Sequence, residues 1–398
     1  MSTSRRGFLL GGIQVSALMP FLPEFALGNG GPTSGGSATS ERVLVVVQLT
    51  GGNDGLNTVV PFSQDAYYRQ RPFLGQARGG LHELDDDHGL HASMSGLGEL
   101  FAEGRLAVVH GVGNPNPDRS HFRSLEVWHT ADPDGPAGQV GWLGRLSDQI
   151  AASGQGNMPA LAVGQGNLPL SMRGRDVQPP MVRDPRGFRM DPAADRVARG
   201  RAALIAGEAG GDLGFLRLAA RTTYDTAARM AAIADGEESV DYPAYDLAKQ
   251  LRLVSQLVRG GFGTRIFHLS LDGFDTHSRQ APVHAEKLRQ VSGALTAFQR
   301  DLEANGIEDR VVTMVFSEFG RRTAENASRG TDHGRGAPLF LLGTRVRGGL
   351  HGTPPDLASL VDGDLPNTTD FRAVYTLLER DWMGLEASTQ VPAMDLLA

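Results

Sequence analysis

The stretch RVLVVVQL at residues 42–49 is a continuous apolar run rich in β-branched residues. Such a run is typical of a parallel strand that is buried on both faces of a sheet. It is followed directly by TGGNDGLN at residues 50–57, where glycines allow a sharp turn and Asp54 brings a carboxylate to the end of the strand. Similar short runs alternate with helical patterns along the chain. This alternation predicts an α/β fold with a mostly parallel central sheet covered by helices on both faces.

The other elements follow from the same patterns. The remaining strand candidates are apolar, β-branched runs at residues 106–112, 160–163, 265–271, 310–316 and 338–342. The helix candidates have an apolar period near 3.6 residues and lie at residues 94–103, 121–130, 140–152, 242–259, 282–305 and 370–383. The Ala- and Arg-rich residues after 195 predict a helical insertion at about 195–259. Residues 168–192 are rich in Pro and Arg and predict a long loop over the sheet edge or the mouth of a site.

Residues 1–28 have the layout of an export signal. Arg5 and Arg6 directly precede an apolar run at residues 8–22 that is short for a membrane span, which matches the twin-arginine pattern. An ordinary secretory signal or a basic N-terminal arm is the alternative. Residues 29–40 are dominated by Gly, Ser, Thr and Pro and predict a flexible linker. The sequence therefore predicts the twin-arginine machinery as a partner, a periplasmic or secreted location, and no stable membrane anchor after cleavage.

The composition of the chain limits the chemistry of its main domain, which we expect at residues 41–398. The sequence contains no cysteine, which excludes disulfides and thiolate metal ligands together. The formal net charge is −7 with acids and bases interspersed, so that no basic stripe of the kind needed for nucleic-acid binding is present. Any metal must therefore be held by histidines and carboxylates.

Acids and histidines just after the predicted strands are the candidate ligands, because ligands bind at the carboxyl ends of parallel strands. Asp275 and His277 are two positions apart, a spacing that directs a carboxylate and an imidazole to one ion, and Asp332 and His333 are adjacent. Glu318 follows another predicted strand. Asp54 lies in a glycine-rich loop suited to a hard cation, with a simple Asx turn as the alternative. Together these residues predict a metal site.

Ser120 precedes the predicted helix 121–130, in the segment PNPDRSHF. Helix amide dipoles stabilise negative charge on a hydroxyl at this position, so Ser120 is a candidate nucleophile, with a helix-capping serine as the alternative. Arg119, Arg321 and Arg335 are candidates to hold an anionic group bidentately, or else they form salt bridges.

Five segments of the chain resemble a known family. They are LTGGNDGLNTVVP (49–61), NPDRSHFRSLEVWHT (116–130), LDGFDTHSRQ (271–280), VFSEFGRRTAEN (315–326) and TDHGRGAPLFLLG (331–343). In this order they resemble the exported family called domain of unknown function 1501, which is similar in turn to the alkaline phosphatase and sulfatase superfamily. The resemblance implies an alkaline-phosphatase-like three-layer sandwich that holds two divalent ions, Zn, Ca, Mg or Mn, at its strand ends.

The resemblance also implies roles for individual residues. In one register, Asp54 and Glu318 hold one ion beside Ser120, and the second ion is held by Asp275, His277 and His333. In the other register, Asp332 and His333 form the acid–histidine pair that follows a strand, and His351 is the later histidine. Asn57 or His121 is an alternative in the place of Ser120.

The implied function is that of an exported metal-dependent hydrolase acting on a phosphate or sulfate ester of a small molecule or glycan. One alternative is an inactive member of the fold that binds metal or an anionic glycan in recognition or assembly. A nucleotide-binding oxidoreductase is disfavoured because residues 51–55 lack the G-x-G-x-x-G spacing.

Overall fold

The computed structural model describes residues 41–135, 138–154, 158–185 and 211–398. The predicted export signal and linker lie outside these ranges, as does the first part of the predicted helical insertion. Within them, none of the helices combines the length and apolarity needed to cross a bilayer.

A nine-stranded sheet forms the centre of the structure. Its strands are β1 (Val43–Thr50), β5 (Leu106–Gly113), β6 (Ala160–Val163), β7 (Met181–Val182), β8 (Ile266–Asp272), β9 (Val311–Phe316), β10 (Ala337–Leu342), β11 (Gly349–His351) and β12 (Thr369–Asp370). The order across the sheet is β11-β5-β10-β9-β1-β8-β6-β7, and β12 also pairs with β5. A separate three-stranded sheet contains β2 (Val59–Val60), β3 (His82–Glu83) and β4 (Gly89–Leu90).

The central strand β1 shows why the sheet is buried on both faces. Val43, Val45 and Val47 pack into one hydrophobic core, whereas Leu44 and Val46 pack into a second core on the opposite face. Successive side chains of a strand point to opposite faces, so an uninterrupted apolar run requires cover on both. The expected mostly parallel sheet with helices on two sides is therefore confirmed.

The helices divide between the two faces. They are α1 (Gly55–Thr58), α2 (Asp65–Gln70), α3 (Ser95–Ala102), α4 (His121–Thr130), α5 (Trp142–Ala152), α6 (Gly211–Ala234), α7 (Asp246–Arg259), α8 (Gln280–Ala304) and α9 (Phe371–Thr376). Helices α3, α6, α7 and α8 contribute to the core that contains Val45. Helices α4, α5 and α9 contribute to the core that contains Val46.

Strand β10 has a special role in placing the functional residues. It runs antiparallel to both of its neighbours, β5 and β9, whereas all other pairings in this sheet are parallel. Its beginning therefore lies at the same edge as the carboxyl ends of β1, β5, β8 and β9. The segment that precedes β10 thus joins the loops that follow the other four strands, at what we call the site edge.

The predicted strands and helices are confirmed apart from their ends, with three corrections. The predicted loop 168–192 contains the edge strand β7 in its described part. The last predicted helix, 370–383, continues from α9 as a π-helix over Leu377–Trp382. Asp332 and His333 precede strand β10 rather than following a strand, and they reach the site edge because β10 is antiparallel.

Candidate metal centre

Three histidine rings and one carboxylate meet at the site edge. Asp275 Oδ1, in the loop after β8, lies 3.0 Å from His277 Nε2 and 3.1 Å from His333 Nε2. Asp275 Oδ2 lies 3.6 Å from Nε2 of His121, the first residue of α4. The Nε2 atoms of His277 and His333 are themselves 3.0 Å apart. We call these four residues the histidine–aspartate centre.

The second nitrogen of each of these rings is held by an oxygen that only accepts hydrogen bonds. The pairs are His121 Nδ1 with Glu318 Oε1 at 2.8 Å, His277 Nδ1 with Asp332 Oδ1 at 3.0 Å, and His333 Nδ1 with the carbonyl oxygen of Arg119 at 2.8 Å. Each Nδ1 therefore carries a proton and donates it, so that in the neutral form of each ring the lone pair is on Nε2.

The centre consequently gathers hydrogen-bond acceptors without enough donors. Three Nε2 lone pairs face a carboxylate, and the buried Nε2 of His121 has no hydrogen-bond partner. Such a group takes up either a proton or a metal ion. Histidines that ligate metals in proteins almost always donate their other ring N–H to a carboxylate or a carbonyl, as all three do here.

The turn after β1, at Gly51 and Gly52, packs against residues of the centre and their hydrogen-bond partners. The amide of Gly51 donates to Glu318 Oε1 at 2.8 Å, next to the bond from His121. Gly51 has a φ of +116°, and a Cβ there would lie 2.4 Å from the amide nitrogen of Asp275. Gly52 has a φ of +76°, and a Cβ there would lie 2.3 Å from the ring of Phe319. Only glycine fits both the backbone conformation and the space.

Arg321 fixes Asp275 in place. Its guanidinium donates to Asp275 Oδ1 at 2.6 Å and to the carbonyl oxygens of Gly51, Gly52 and Thr331. The side chain of Arg321 is completely buried. The suggestion that Arg321 holds a substrate anion is therefore wrong, because its donors are already used within the protein.

The charges around Asp275 favour its ionised form. Burial by itself raises the pKa of Asp275, but the hydrogen bond and positive charge of Arg321, together with the contacts to the His333 and His277 rings, outweigh that effect and hold the pKa at about 2. The hydrogen bond with Glu318 raises the pKa of His121 above its ordinary value. The centre thus combines a permanent negative charge with rings that attract a cation.

Asp54 is not brought to the centre. Its Oδ2 forms an ion pair with Arg71 at 2.6 Å and accepts a hydrogen bond from Gln280, and both members of the ion pair are buried. Burial raises the pKa of Asp54, but Arg71, His284 and Gln280 together lower it by more, so the net direction is downward. The guanidinium supplies the positive charge that the two-ion arrangement assigned to a metal at Asp54.

The other predicted residues have varied surroundings. Glu318 is buried and supports His121, and Asp332 supports His277, so both act through a histidine in this geometry. Asn57 accepts hydrogen bonds from Arg71 and Tyr67 in a buried network.

Two further residues lie outside the centre. His351 lies on β11, where its Nε2 contacts the carbonyl oxygen of Arg347 at 2.8 Å. The exposed Ser120 is the N-cap of α4 and its side chain makes no capping hydrogen bond, which leaves its hydroxyl next in sequence to His121.

The residues present fit a divalent ion. Imidazole and carboxylate ligands suit Zn and Mn among the ions considered, whereas Ca and Mg prefer all-oxygen sites. Among the residues that the structure describes, His121, Asp275 and His333 place ligand atoms within 4.8 Å of one another. From the sequence, His121 is expected only as an alternative to Ser120 and not as a metal ligand. The feature of the sequence that could have identified His121 is its position as the first residue of a predicted helix, after a loop that follows a strand.

A family comparison agrees with the motifs. Residues 41–378 match the family described as Protein of unknown function (DUF1501). The chain belongs to the DUF1501 family. No curated protein matches this DUF1501 chain.

Several solved structures are similar to the DUF1501 chain at low identity. The lipoteichoic acid synthase LtaP from Listeria monocytogenes is 10% identical with a TM-score of 0.40, over 96% of this chain and 80% of that one. A protein in the alkaline phosphatase superfamily from Vibrio parahaemolyticus is 12% identical with a TM-score of 0.41, over 92% and 70%. A phosphonate monoester hydrolase from Silicibacter pomeroyi is 9% identical with a TM-score of 0.37, over 89% and 76%. Likenesses of this degree carry no conclusion about activity.

Proposed function

We propose that this chain is an exported, metal-dependent hydrolase of a phosphate or sulfate ester. The observation that carries the proposal is the convergence of three Nε2 lone pairs on the ionised carboxylate of Asp275, with every Nδ1 held by an acceptor. Ligands, orienting partners and charge all agree with a cation at this point.

The ligands of the ion would be His121, Asp275, His277 and His333. A divalent ion there would supply Lewis-acid polarisation of an ester oxygen. The side chains of Asp275 and His277 are 47% and 45% exposed, so a substrate reaches the centre from solvent. Arg321 keeps the carboxylate of Asp275 ionised and pointed at the rings.

We propose that the hydroxyl of Ser120 gives up its proton and attacks the phosphorus or sulfur of the ester, that the alcohol leaves, and that water then hydrolyses the resulting seryl ester. Direct attack by water, which releases the same alcohol, is the alternative. Two observations support this role: Ser120 is exposed, and it directly precedes His121 in the sequence. Replacement of Ser120 by Ala distinguishes the two routes, because an attacking hydroxyl is essential to turnover whereas an attack by water survives its loss.

The test is a screen of the purified chain, loaded separately with Zn, Mn, Mg and Ca, against nitrophenyl phosphate, bis-nitrophenyl phosphate and nitrophenyl sulfate. We expect hydrolysis of at least one ester, and its loss in His277→Ala. The matched control is His351→Ala, which removes an imidazole from β11 and should leave activity unchanged. Metal binding without turnover of any ester would favour the alternative, a protein of recognition or assembly. Failure to bind any metal would contradict the hydrolase and the metal-binding form of the alternative.

Export by the twin-arginine pathway is part of the same proposal and rests on the sequence around Arg5 and Arg6. Replacement of both by Lys should keep the full-length chain in the cytoplasm, as measured by cell fractionation. Unchanged export of the double variant would contradict this route.

A further inference from the structure

Three arginines surround one buried carboxylate close to the histidine–aspartate centre. Arg119 and Arg322 form ion pairs with Asp364, the second at 3.2 Å, and Arg335 lies 3.8 Å from the same carboxylate. Arg335 also pairs with Asp362 at 2.6 Å. The side chain of Asp364 is completely buried, whereas the three arginines are 43%, 37% and 21% exposed. Asp364 therefore holds the three guanidinium groups of this arginine cluster in place, and part of each arginine side chain stays exposed to a ligand.

The arginine cluster is joined to the centre through the backbone. The carbonyl oxygen of Arg119 accepts the hydrogen bond from His333 Nδ1 at 2.8 Å. The amide of Arg322 donates to the carbonyl oxygen of Asp332 at 2.9 Å, in a β-bridge beside His333. Arg335 follows His333 by two residues. A ligand that reaches from the centre thus meets the arginines next.

The charges of the arginine cluster do not balance. Within the part of the chain that the structure describes, the ion pairs of these three guanidinium groups are with two carboxylates, those of Asp362 and Asp364, which leaves one positive charge in excess. A second arginine group on the surface differs in this respect, because Arg105 and Arg300 pair with Glu103 and Glu303 and so carry no excess. The excess beside the centre attracts an anion, whereas the balanced group does not.

We propose that the arginine cluster is a second anion-binding subsite, which takes a phosphate or sulfate group other than the one hydrolysed at the centre. Guanidinium groups bind such oxyanions bidentately, and the pairing with Asp364 orients them in advance. That the bound anion is part of a substrate rests on the proposed function. In that case the substrates are esters that carry at least two anionic groups. Binding of an anion to the cluster requires no metal.

The experiment is a calorimetric titration of the chelator-treated protein with inorganic sulfate at low ionic strength, where screening is weak. We expect the double variant Arg322→Gln/Arg335→Gln to bind sulfate about tenfold or more weakly, since it loses charge-assisted hydrogen bonds. The matched control, Arg105→Gln/Arg300→Gln, removes two arginines from the balanced surface group and should bind sulfate as the wild type does.

A second variant tests the same idea in the opposite direction. Asp362→Asn removes a carboxylate from the arginine cluster and should tighten sulfate binding severalfold. Asp362 has a φ of +53°, a conformation that Asn adopts readily, so the variant should fold normally.

The outcomes separate this inference from the proposed function. Sulfate binding that is weakened in the Arg322→Gln/Arg335→Gln variant and unchanged in Arg105→Gln/Arg300→Gln supports the subsite, whether or not the loaded enzyme hydrolyses any ester. Absence of sulfate binding by the wild type, or equal binding by all variants, would overturn it.

Discussion

At the scale of single residues, the histidine–aspartate centre depends on the groups behind it. Asp332 orients His277, and the hydrogen bond from that ring lowers the pKa of Asp332 below its ordinary value. Glu318 orients His121 in the same way from a buried position. Each of the two carboxylates contacts Nδ1 of its histidine and not Nε2. By holding the proton on Nδ1, each leaves Nε2 as the nitrogen that can bind an ion.

Asp332→Asn tests this orienting role directly. We expect Zn affinity to fall by about 10- to 100-fold, the usual effect of losing a carboxylate behind a ligating histidine. The measurement is a competition titration with a chelating dye. Asp395→Asn serves as the control, because Asp395 is an exposed carboxylate that pairs with Arg347. Equal affinity of Asp332→Asn and wild type would contradict the assigned role.

Glu379 carries a separate pH dependence. Burial raises its pKa to about 7, against hydrogen bonds from Ser388 that act in the opposite direction. The folded state therefore binds more protons than the unfolded state between about pH 4.5 and 7, and stability falls as the pH rises through that window.

Glu379→Gln cannot ionise and should remove this fall in stability. We expect the Tm of the variant, relative to wild type, to be higher at pH 8 than at pH 5, as measured by thermal unfolding. Glu99→Gln replaces an exposed carboxylate and should show no such trend. A Tm difference that does not change with pH would refute the expectation.

At the scale of elements, the turn between β1 and α1 joins the sheet to the site. Gly51 and Gly52 both adopt positive φ, and their backbone groups bond to Glu318 and Arg321. The turn therefore positions one outer partner of the histidines and the arginine that fixes Asp275.

Gly51→Ala should lower the stability of the folded protein. Backbone strain and the 2.4 Å approach to the amide of Asp275 predict a loss of at least about 2 kcal/mol. Gly104→Ala is the matched control, because Gly104 has a φ of +72° but open space around its Cβ position, so it should lose only about 1 kcal/mol. Chemical denaturation measures the free energy of unfolding of both variants. Equal losses would show that the packing against Asp275 is unimportant.

The sequence predicts these elements more fully than it predicts their arrangement. The apolar runs identify β1 and β10 because burial requires them, but a run has no direction, so the antiparallel course of β10 could not be inferred. The place of Asp332 and His333 follows from that direction. Likewise, Asp54 offers a carboxylate after a strand, and only the fold brings Arg71 against it.

At the scale of the whole molecule, the residues that converge at the histidine–aspartate centre form one candidate site for an ion, whereas the family resemblance implied two ions. The four residues of the histidine–aspartate centre come from α4, the loop after β8 and the segment before β10, so the complete sheet is needed to bring them together. At Asp54 the positive charge is already present as the buried guanidinium of Arg71. A protein that binds an ion only when folded is stabilised by it.

Removal of the ion should therefore lower the Tm of the protein. A chelator added to the loaded wild type should reduce Tm, whereas the same chelator should leave the Tm of His277→Ala/His333→Ala unchanged. Differential scanning calorimetry measures the shift. An equal shift in both proteins would indicate binding elsewhere.

We propose that a single divalent ion is held by His121, Asp275, His277 and His333. The most direct test of this proposal is elemental analysis of the purified chain by mass spectrometry, with protein concentration from amino-acid analysis. We expect one divalent ion per chain, lost in His277→Ala/His333→Ala and kept in His351→Ala. A content of two ions per chain, or a content of one that survives the loss of His277 and His333, would contradict the account.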